Sequence, residues 1–230
     1  ASLEVKRQLA DVAAEMLEAN PTDLEFINGT VGVVGAPGSR VSLAEVATAG
    51  TWTVGPIAAT GSYTTPPVEF DPGCANGLLF PTMPTLTYHA HMAVVEVDPV
   101  TGKVTVQRYV VVQDVGRVIN PTGVRGQIQG GVAQGIGHTL YESLRIKDCR
   151  YLERTLETYR LPLAVDIPTV EFITLEHPDP EGPHGAKGVG EPPIALVSAV
   201  VANAVSDATG SPVERIPITP EDVLEALDRR

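Results

Sequence analysis

The sequence predicts an α+β fold, in which mixed sheets and hairpins pack against separate helices. Three observations predict it: an amphipathic helical repeat near the start of the chain, two pairs of β-rich segments joined by turn sequences, and two long helical segments in the second half. The length of 230 residues, with 43% hydrophobic and 19% charged residues, is typical of a globular chain with a sizeable core. We expect a helix–hairpin–helix region with an extended segment over residues 1–70, and a larger region over residues 71–230.

Turn and capping signals divide the first region. Asn28-Gly29 supplies the two positive-φ residues of a tight hairpin turn between two β-rich runs. Ser42 and Glu45 have the spacing of a capping box, which predicts that a short helix begins there and runs toward Ala49. The predicted elements are a helix over residues 3–19, strands over 24–27 and 30–33, the short helix after Ser42, and an extended segment rich in glycine, proline and threonine over 50–86.

The second region has more regular patterns. Pro99 and Gly102 lie between two β-rich segments, which predicts a second hairpin. Gly210 ends a segment that is apolar nearly all round, and Thr219 followed by Pro220 has the pattern of a helix N-terminus. The predicted elements are strands over residues 88–98, 103–113 and 169–175, and helices over about 122–144, over 194–208 and from 220 onward.

The charge balance argues against two classes of partner. The chain has 16 Lys and Arg against 28 Asp and Glu, a net charge of −12, and no run of basic residues, so neither nucleic acid nor an anionic membrane is expected as its main partner. No apolar stretch reaches the roughly 18 residues of a membrane span. The start lacks a signal peptide, and we expect a cytoplasmic protein. The first residue is Ala1 rather than Met, which indicates a processed or split piece of something larger.

The cysteine content limits the redox cofactors that the chain can hold. Cys74 and Cys149 could form one disulfide, but two unpaired thiols are the expectation for a cytosolic protein. The sequence has no CxxC pair and no four-cysteine spacing for an iron–sulfur cluster. Any such cluster is therefore expected on another chain.

The glycine-rich helix is the most informative element. Six small or polar residues fall within roughly 50° of one line along it: Gly123, Gln127, Gly130, Gly131, Gln134 and His138. Each glycine costs a helix about 0.8–1 kcal/mol relative to alanine, so some interaction must compensate. Close packing on a bare surface is one account. A ligand lying against the backbone, with the two glutamine amides donating hydrogen bonds, is the other, and the residues alone favour packing.

A second glycine-rich segment, GAKGVGEPP over residues 185–193, leads into the apolar helix. Three glycines allow close backbone approach, and Pro192 and Pro193 restrict the exit. Glu191 either stabilises the N-terminus of the following helix or is a rigidly held general base. Spacing alone favours the structural role.

Weaker candidates lie elsewhere. His89 and His91 share one face of a strand, as metal ligands can, but no third ligand is placed near them, so a solvated strand face is favoured. His184 could touch a ligand or lie on the surface. Arg117 and Arg125 could meet phosphate, but pairing with the excess carboxylates is favoured. The sequence therefore predicts no metal ligands in this chain.

Three motifs in this order resemble one family. They are DVGRVINP over residues 114–121, GQIQGGVAQG over 126–135 and GAKGVGEPP over 185–193, and Tyr159-Arg160-Leu161-Pro162 between them fits as well. They resemble the closing motifs of the molybdenum-cofactor subunit of the xanthine oxidase family of molybdenum hydroxylases. The first 50 residues resemble the helix and hairpin that precede these motifs, so the resemblance covers essentially the whole chain.

The resemblance implies a molybdopterin-type molybdenum cofactor and a role for individual residues. Glu191 matches the family glutamate that takes a proton from the reacting oxygen, and Gln127 matches the glutamine that hydrogen-bonds the pterin. The resemblance therefore changes the interpretation of the helix face around Gln127 from close packing to cofactor binding. The other residues that it places beside the cofactor are Gly131, Gln134, Lys187, Gly188, Val189 and Gly190.

The resemblance also implies partners, because the family's upstream cofactor motifs (a glycine–phenylalanine loop, an arginine facing the metal and a Gly-Gln-Gly loop) are absent here. A companion chain is expected to carry them, and an iron–sulfur subunit and an FAD subunit to take the electrons. Within the family, Glu191-Pro192-Pro193 resembles the enzymes that oxidise aldehydes or xanthine more than those that oxidise carbon monoxide. The expected small-molecule substrate is therefore an aldehyde or an N-heteroaromatic ring. A non-catalytic scaffold or assembly subunit, or a fragment of a longer large subunit, is the alternative.

Overall fold

The computed structural model describes residues 1–64 and 85–229, which belong to two compact units, Ala1–Pro66 and Pro67–Arg230. Both units contain helices and hairpins, and the predicted α+β class is confirmed. The predicted boundary between residues 70 and 71 lies outside the described residues, as does Cys74. Cys149 is a free, exposed thiol.

The first unit places two helices against a three-stranded antiparallel sheet. The predicted hairpin is confirmed: Ile27 pairs with Thr30 across Asn28 and Gly29, whose φ angles are 48° and 77°. Val12, Val31 and Val46 form its buried core. The elements are α1 (Ser2–Leu17), β1 (Leu24–Ile27), β2 (Thr30–Val33), β3 (Arg40–Ser42) and α2 (Leu43–Thr53).

The capping box at the start of α2 is also confirmed. The Glu45 N–H donates to the Ser42 hydroxyl oxygen, and the Ser42 N–H donates to the Glu45 carboxylate. The helix continues through Gly50, which the sequence analysis placed in the extended segment. This glycine is tolerated because it packs: a Cβ built on Gly50 would lie 2.6 Å from Cδ1 of Ile57.

A three-stranded sheet forms the centre of the second unit. β4 (His89–Val97) and β5 (Val104–Asp114) pair antiparallel, which confirms the predicted hairpin. β8 (Val170–Leu175) adds to β5 in parallel, an arrangement that the sequence analysis did not predict. Parallel strands need a long crossover, and residues 115–169 provide it.

The glycine-rich helix, α3 (Pro121–Leu140), lies in this crossover. It ends four residues earlier than predicted, because the N–H groups of Tyr141 and Glu142 both donate to the carbonyl of Gly137 and close its last turn. A small hairpin follows, which was not predicted. Its strands are β6 (Ile146–Lys147) and β7 (Arg150–Tyr151).

The predicted apolar helix is divided in two. α4 (Pro192–Ala195) and α5 (Val197–Thr209) meet at Leu196, and Gly210 ends α5 with a φ of 73°, as expected for a C-terminal glycine. Although the segment is apolar nearly all round, α5 is buried along one stripe only, formed by Val197, Val201, Val205 and Thr209. α6 (Pro220–Asp228) begins at the predicted Thr219 cap.

The stretch Pro192–Thr209 is long and apolar enough to cross a membrane by length and composition, with a mean hydropathy of 1.2. The expectation that no stretch reaches this length is therefore wrong. In the structure, α5 packs on β4, and Val197, Val201 and Val205 are fully buried in the core of the unit. Packing in the core thus accounts for this buried stripe, while 28% of the whole stretch Pro192–Thr209 is buried.

Candidate functional site

The glycine loop of residues 185–190 is attached to the end of β5 by backbone contacts. Gly116 and Ala186 form a β-bridge, and the N–H of Lys187 donates to the carbonyl of Val115 at 3.0 Å. A Cβ built on Gly116 would lie 2.3 Å from the Gly185 carbonyl oxygen, and the φ of Gly116 is 62°. Only glycine allows the two backbones to approach this closely.

An internal ion pair strengthens this attachment. The Lys187 ammonium lies 2.6 Å from Oδ2 of Asp114, and the two side chains are only 10% and 4% exposed. Asp114 also accepts hydrogen bonds from the backbone N–H groups of Gly116 at 2.9 Å and His177 at 3.3 Å. Sequence reasoning missed Asp114 as a partner because 73 residues separate it from Lys187, although it begins the DVGRVINP motif.

We expect acid to weaken the second unit through Asp114. Burial raises the pKa of this carboxyl, but the hydrogen bonds from Lys187, Gly116 and His177 outweigh it, and the net pKa is lowered. The unfolded chain therefore binds the proton first as the pH falls. The stabilisation is present above the ordinary aspartate pKa and is lost as the pH falls through the folded-state pKa. Denaturant unfolding from about pH 6 to about pH 3 should show this loss.

In Asp114→Asn the fall in unfolding free energy across this acid range should be shallower. Asp228 is at an exposed position in α6, so in Asp228→Asn the fall in unfolding free energy with acid should match that of the unsubstituted protein. Identical slopes in all three proteins would contradict the assignment to Asp114.

The glycines of α3 divide into two groups. A Cβ on Gly131 would lie 2.7 Å from Cβ of Pro193, and one on Gly135 would lie 2.4 Å from Cβ of Val197, so these two glycines let α4 and α5 pack closely. Gly126 and Gly130 are exposed, with nothing within 4 Å of a built Cβ. Both accounts of the glycines, packing and bare backbone, therefore apply to one helix.

Glu191 lies on the exposed surface between the loop and α4. It occupies the position before Pro192 at the start of α4, and its side chain makes no capping hydrogen bond. α4 has only four residues, but it continues through Leu196 into α5, so the helical stretch that begins after Glu191 reaches Thr209. The structure therefore leaves both interpretations of Glu191, stabilisation of the helix N-terminus and general base, as predictions.

Gln127 of α3 lies against the same loop. A Cβ built on Gly190 would be 3.7 Å from Oε1 of Gln127, so this amide borders the residue that precedes Glu191. Gln127 also lines an open cavity of about 340 Å³ together with Arg117, Ile119 and Val189. α3 and the glycine loop therefore meet at Gln127 and Gly190, directly before the exposed Glu191.

Of the other predicted cofactor residues, two are exposed and two are packed within the second unit. Gly188 is exposed, and its carbonyl accepts a hydrogen bond from the Thr87 hydroxyl at 3.3 Å. Gln134 is exposed two turns along α3 from Gln127, about 10 Å further along the helix axis. Val189 packs against the core of the second unit, and Gly131 is buried beneath α4.

Two of the weaker candidates, His89 and His91, lie on β4. His91 is half-buried, with Nδ1 3.0 Å from the Tyr109 hydroxyl, and burial followed by the charge of His89 lowers its pKa to about 4. The predicted solvated strand face is therefore wrong for His91. Within residues 1–64 and 85–229, no group of three potential ligands could hold a metal ion.

The predicted pairing of Arg117 and Arg125 with carboxylates is also wrong for the described part of the chain, where neither guanidinium has an ion-pair partner. Arg117 lines the cavity beside Gln127 instead. His184 is exposed, with a φ of 56°. These positions leave Gln127, Glu191 and the open glycines as the centre of the candidate site.

The chain is similar to known proteins over nearly its whole length. The family model described as the molybdopterin cofactor-binding domain matches residues 1–168. The large subunit of nicotine 6-hydroxylase from Paenarthrobacter nicotinovorans is 38% identical over 231 residues, covering 98% of this chain and 27% of that protein. The aldehyde oxidoreductase molybdenum-binding subunit PaoC of Escherichia coli K12 is 33% identical over 223 residues, covering 96% and 28%.

A solved structure matches as well. Quinoline 2-oxidoreductase from Pseudomonas putida 86 aligns with a TM-score of 0.72 and 31% identity, covering 98% of this chain and 28% of that one. The chain therefore spans less than a third of the length of the relatives that it matches.

Proposed function

Since this chain belongs to the molybdopterin cofactor-binding domains of the xanthine oxidase family of molybdenum hydroxylases, we propose that it supplies the general base and one wall of the cofactor site in such an enzyme. The observation that carries the proposal is the placement of the Gln127 amide against Gly190, next to the exposed Glu191. These two residues come from motifs more than 60 positions apart, and a single surface unites them.

The residues of this surface fit part of a pterin site. Gly126, Gly130 and Gly188 leave open space where a side chain would stand, so a flat ligand can approach their backbone. Gln127 offers a carboxamide that can both donate and accept hydrogen bonds. When bound, the cofactor supplies the two-electron oxidation chemistry. The described residues offer it a wall and hydrogen bonds rather than metal ligands.

Each residue of the chain has a distinct part in this proposal. Glu191 accepts a proton at its carboxylate from the water-derived oxygen that attacks the substrate. Gln127 holds the pterin edge, and Gly188, Gly190 and Gln134 line the same side. Gly131, Lys187 and Val189 hold the wall in place, because each is packed or paired within the second unit, and Lys187 and Val189 also line the cavity beside Gln127.

The proposed substrate is an aldehyde or an electrophilic carbon of an N-heteroaromatic ring. Relatives named for nicotine 6-hydroxylation and aldehyde oxidation support these two classes. The proposal requires a companion chain that carries the upstream cofactor motifs, and an iron–sulfur subunit and an FAD subunit as electron carriers. The net charge of −12 supports a small molecule rather than nucleic acid as the ligand.

Molybdenum content tests this function. We expect about one molybdenum per chain in protein purified gently from its own source with every co-purifying polypeptide retained. In the same complex, Gln127→Ala should lower the molybdenum content, whereas Gln129→Ala should not, because Gln129 points about 200° away around α3. Absence of both molybdenum and a larger partner would contradict the enzyme and favour the scaffold alternative.

A further inference from the structure

The internal ion pair between Lys187 and Asp114 joins three segments at one carboxylate. Asp114 ends β5, and it receives one hydrogen bond from the backbone of Gly116, one from His177 after β8 and one from the ammonium of Lys187 in the glycine loop. Both side chains are nearly removed from solvent. A charged pair with several good hydrogen bonds in such surroundings holds its partners in one geometry.

The far end of the loop is held by packing. Gly131 of α3 lets Pro193 lie directly on the helix, since a Cβ on Gly131 would fall 2.7 Å from the proline ring and 3.1 Å from the backbone N of Ile194. Glu191 therefore lies between two fixed points, four residues after Lys187 and two before Pro193.

The residues between these fixed points offer little local restraint. Gly188 and Gly190 are two of the three residues that separate Lys187 from Glu191, and glycine backbones sample more conformations than any other residue. Besides the ion pair and the core packing of Val189, the hydrogen bond from Thr87 to the Gly188 carbonyl, the approach of Gln127 to Gly190 and backbone hydrogen bonds at Lys187 and Glu191 restrain this stretch. The direction of the Glu191 carboxylate thus depends on the anchors.

We propose that Lys187 and Asp114 are positioning residues, whose ion pair sets the place of the Glu191 carboxylate relative to α3. This inference rests on the proposed function of Glu191. In this proposal the Lys187 ammonium acts through the loop, from its ion pair with Asp114, although the Lys187 side chain also lines the cavity beside Gln127. This role differs from direct cofactor binding by Lys187, which stays a prediction from the family resemblance, because here the ammonium is paired with Asp114.

The test is a double-mutant cycle in the assembled enzyme, with Lys187→Met, Asp114→Asn and the double variant Asp114→Asn/Lys187→Met. The double variant removes both charges, so neither is left buried and unpaired, and it keeps the fold if a single variant does not. We expect kcat to fall about 10- to 100-fold with KM and molybdenum content nearly unchanged, as for a misplaced catalytic group. The losses should not multiply, because both residues act through one contact.

A second readout does not depend on activity. Amide hydrogen exchange in the peptide covering residues 182–196 should become several-fold faster in the variants, since the loop loses an anchor. Arg108→Met is the matched control, because it breaks the exposed ion pair of Arg108 with Glu171 in the same sheet. It should change neither kcat nor exchange in that peptide.

Three results would overturn the inference: unchanged kcat with unchanged exchange, losses that multiply in the double variant, or molybdenum loss in proportion to kcat. The last would make Lys187 a cofactor ligand. If Glu191→Gln leaves turnover intact, the proposed function fails instead, while faster exchange in the Lys187 variants would still show that the pair orders the loop.

Discussion

Glu191→Gln should lower kcat of the assembled enzyme by about 10²- to 10⁴-fold, the contribution of a general base to a proton-transfer step. The amide keeps the size and the exposed position of the side chain but cannot accept the proton. Molybdenum content and substrate binding should stay near those of the unsubstituted enzyme. Steady-state kinetics with an aldehyde and with an N-heteroaromatic substrate, together with metal analysis of the same sample, measures both.

Glu214→Gln provides the control for this substitution. Glu214 is an exposed glutamate of the same unit, outside the candidate site, and its replacement should leave turnover unchanged. If Glu191→Gln behaves like Glu214→Gln, Glu191 is not the base. The scaffold alternative predicts that outcome, because a non-catalytic subunit has no proton to move.

Two glycine-to-alanine substitutions in α3 should have opposite effects on stability. In Gly135→Ala the new methyl would lie 2.4 Å from Cβ of Val197, an atom fixed to the backbone of α5, so the helices must separate. Overpacking of this kind costs about 1–3 kcal/mol. In Gly130→Ala the methyl meets nothing within 4 Å, and the better helix propensity of alanine should stabilise the helix by about 0.8–1 kcal/mol.

Denaturant unfolding of the purified complex gives both free-energy changes, and molybdenum analysis adds a second comparison. Gly130→Ala should lower the molybdenum content although it stabilises the fold, because its methyl stands where the pterin is proposed to lie. Destabilisation by both substitutions would show that Gly130 is packed rather than open. If Gly130→Ala stabilises the fold and keeps the full molybdenum content, the cofactor lies elsewhere on the surface.

Local signals were sufficient for most individual elements. Asn28-Gly29 makes a tight turn because both residues accept positive φ, and Ser42 with Glu45 caps α2 through atoms three residues apart. Thr219 and Gly210 mark helix ends in the same local way. These predictions were confirmed because each interaction is complete within one stretch of four residues or fewer.

Element ends and pairings that depend on distant residues were predicted less well. α2 continues through Gly50 because Ile57 packs on it, and a single stripe of α5 is buried because β4 covers that side. The parallel pairing of β5 with β8 joins residues about 60 positions apart. Periodicity along one segment carries no information on which distant segment will cover it.

By itself, the sequence determined the α+β class, the succession of turns and caps, and the family motifs that single out Gln127 and Glu191. Only the tertiary structure decided the surroundings of those residues. It shows which glycines of α3 pack and which stay open, and that Gln127 borders the loop carrying Glu191. It also shows that Lys187 is paired with Asp114. The physical reason is that side-chain chemistry and turn preference are local properties. Burial, ion pairing and close backbone approach depend on segments that only the folded chain brings together.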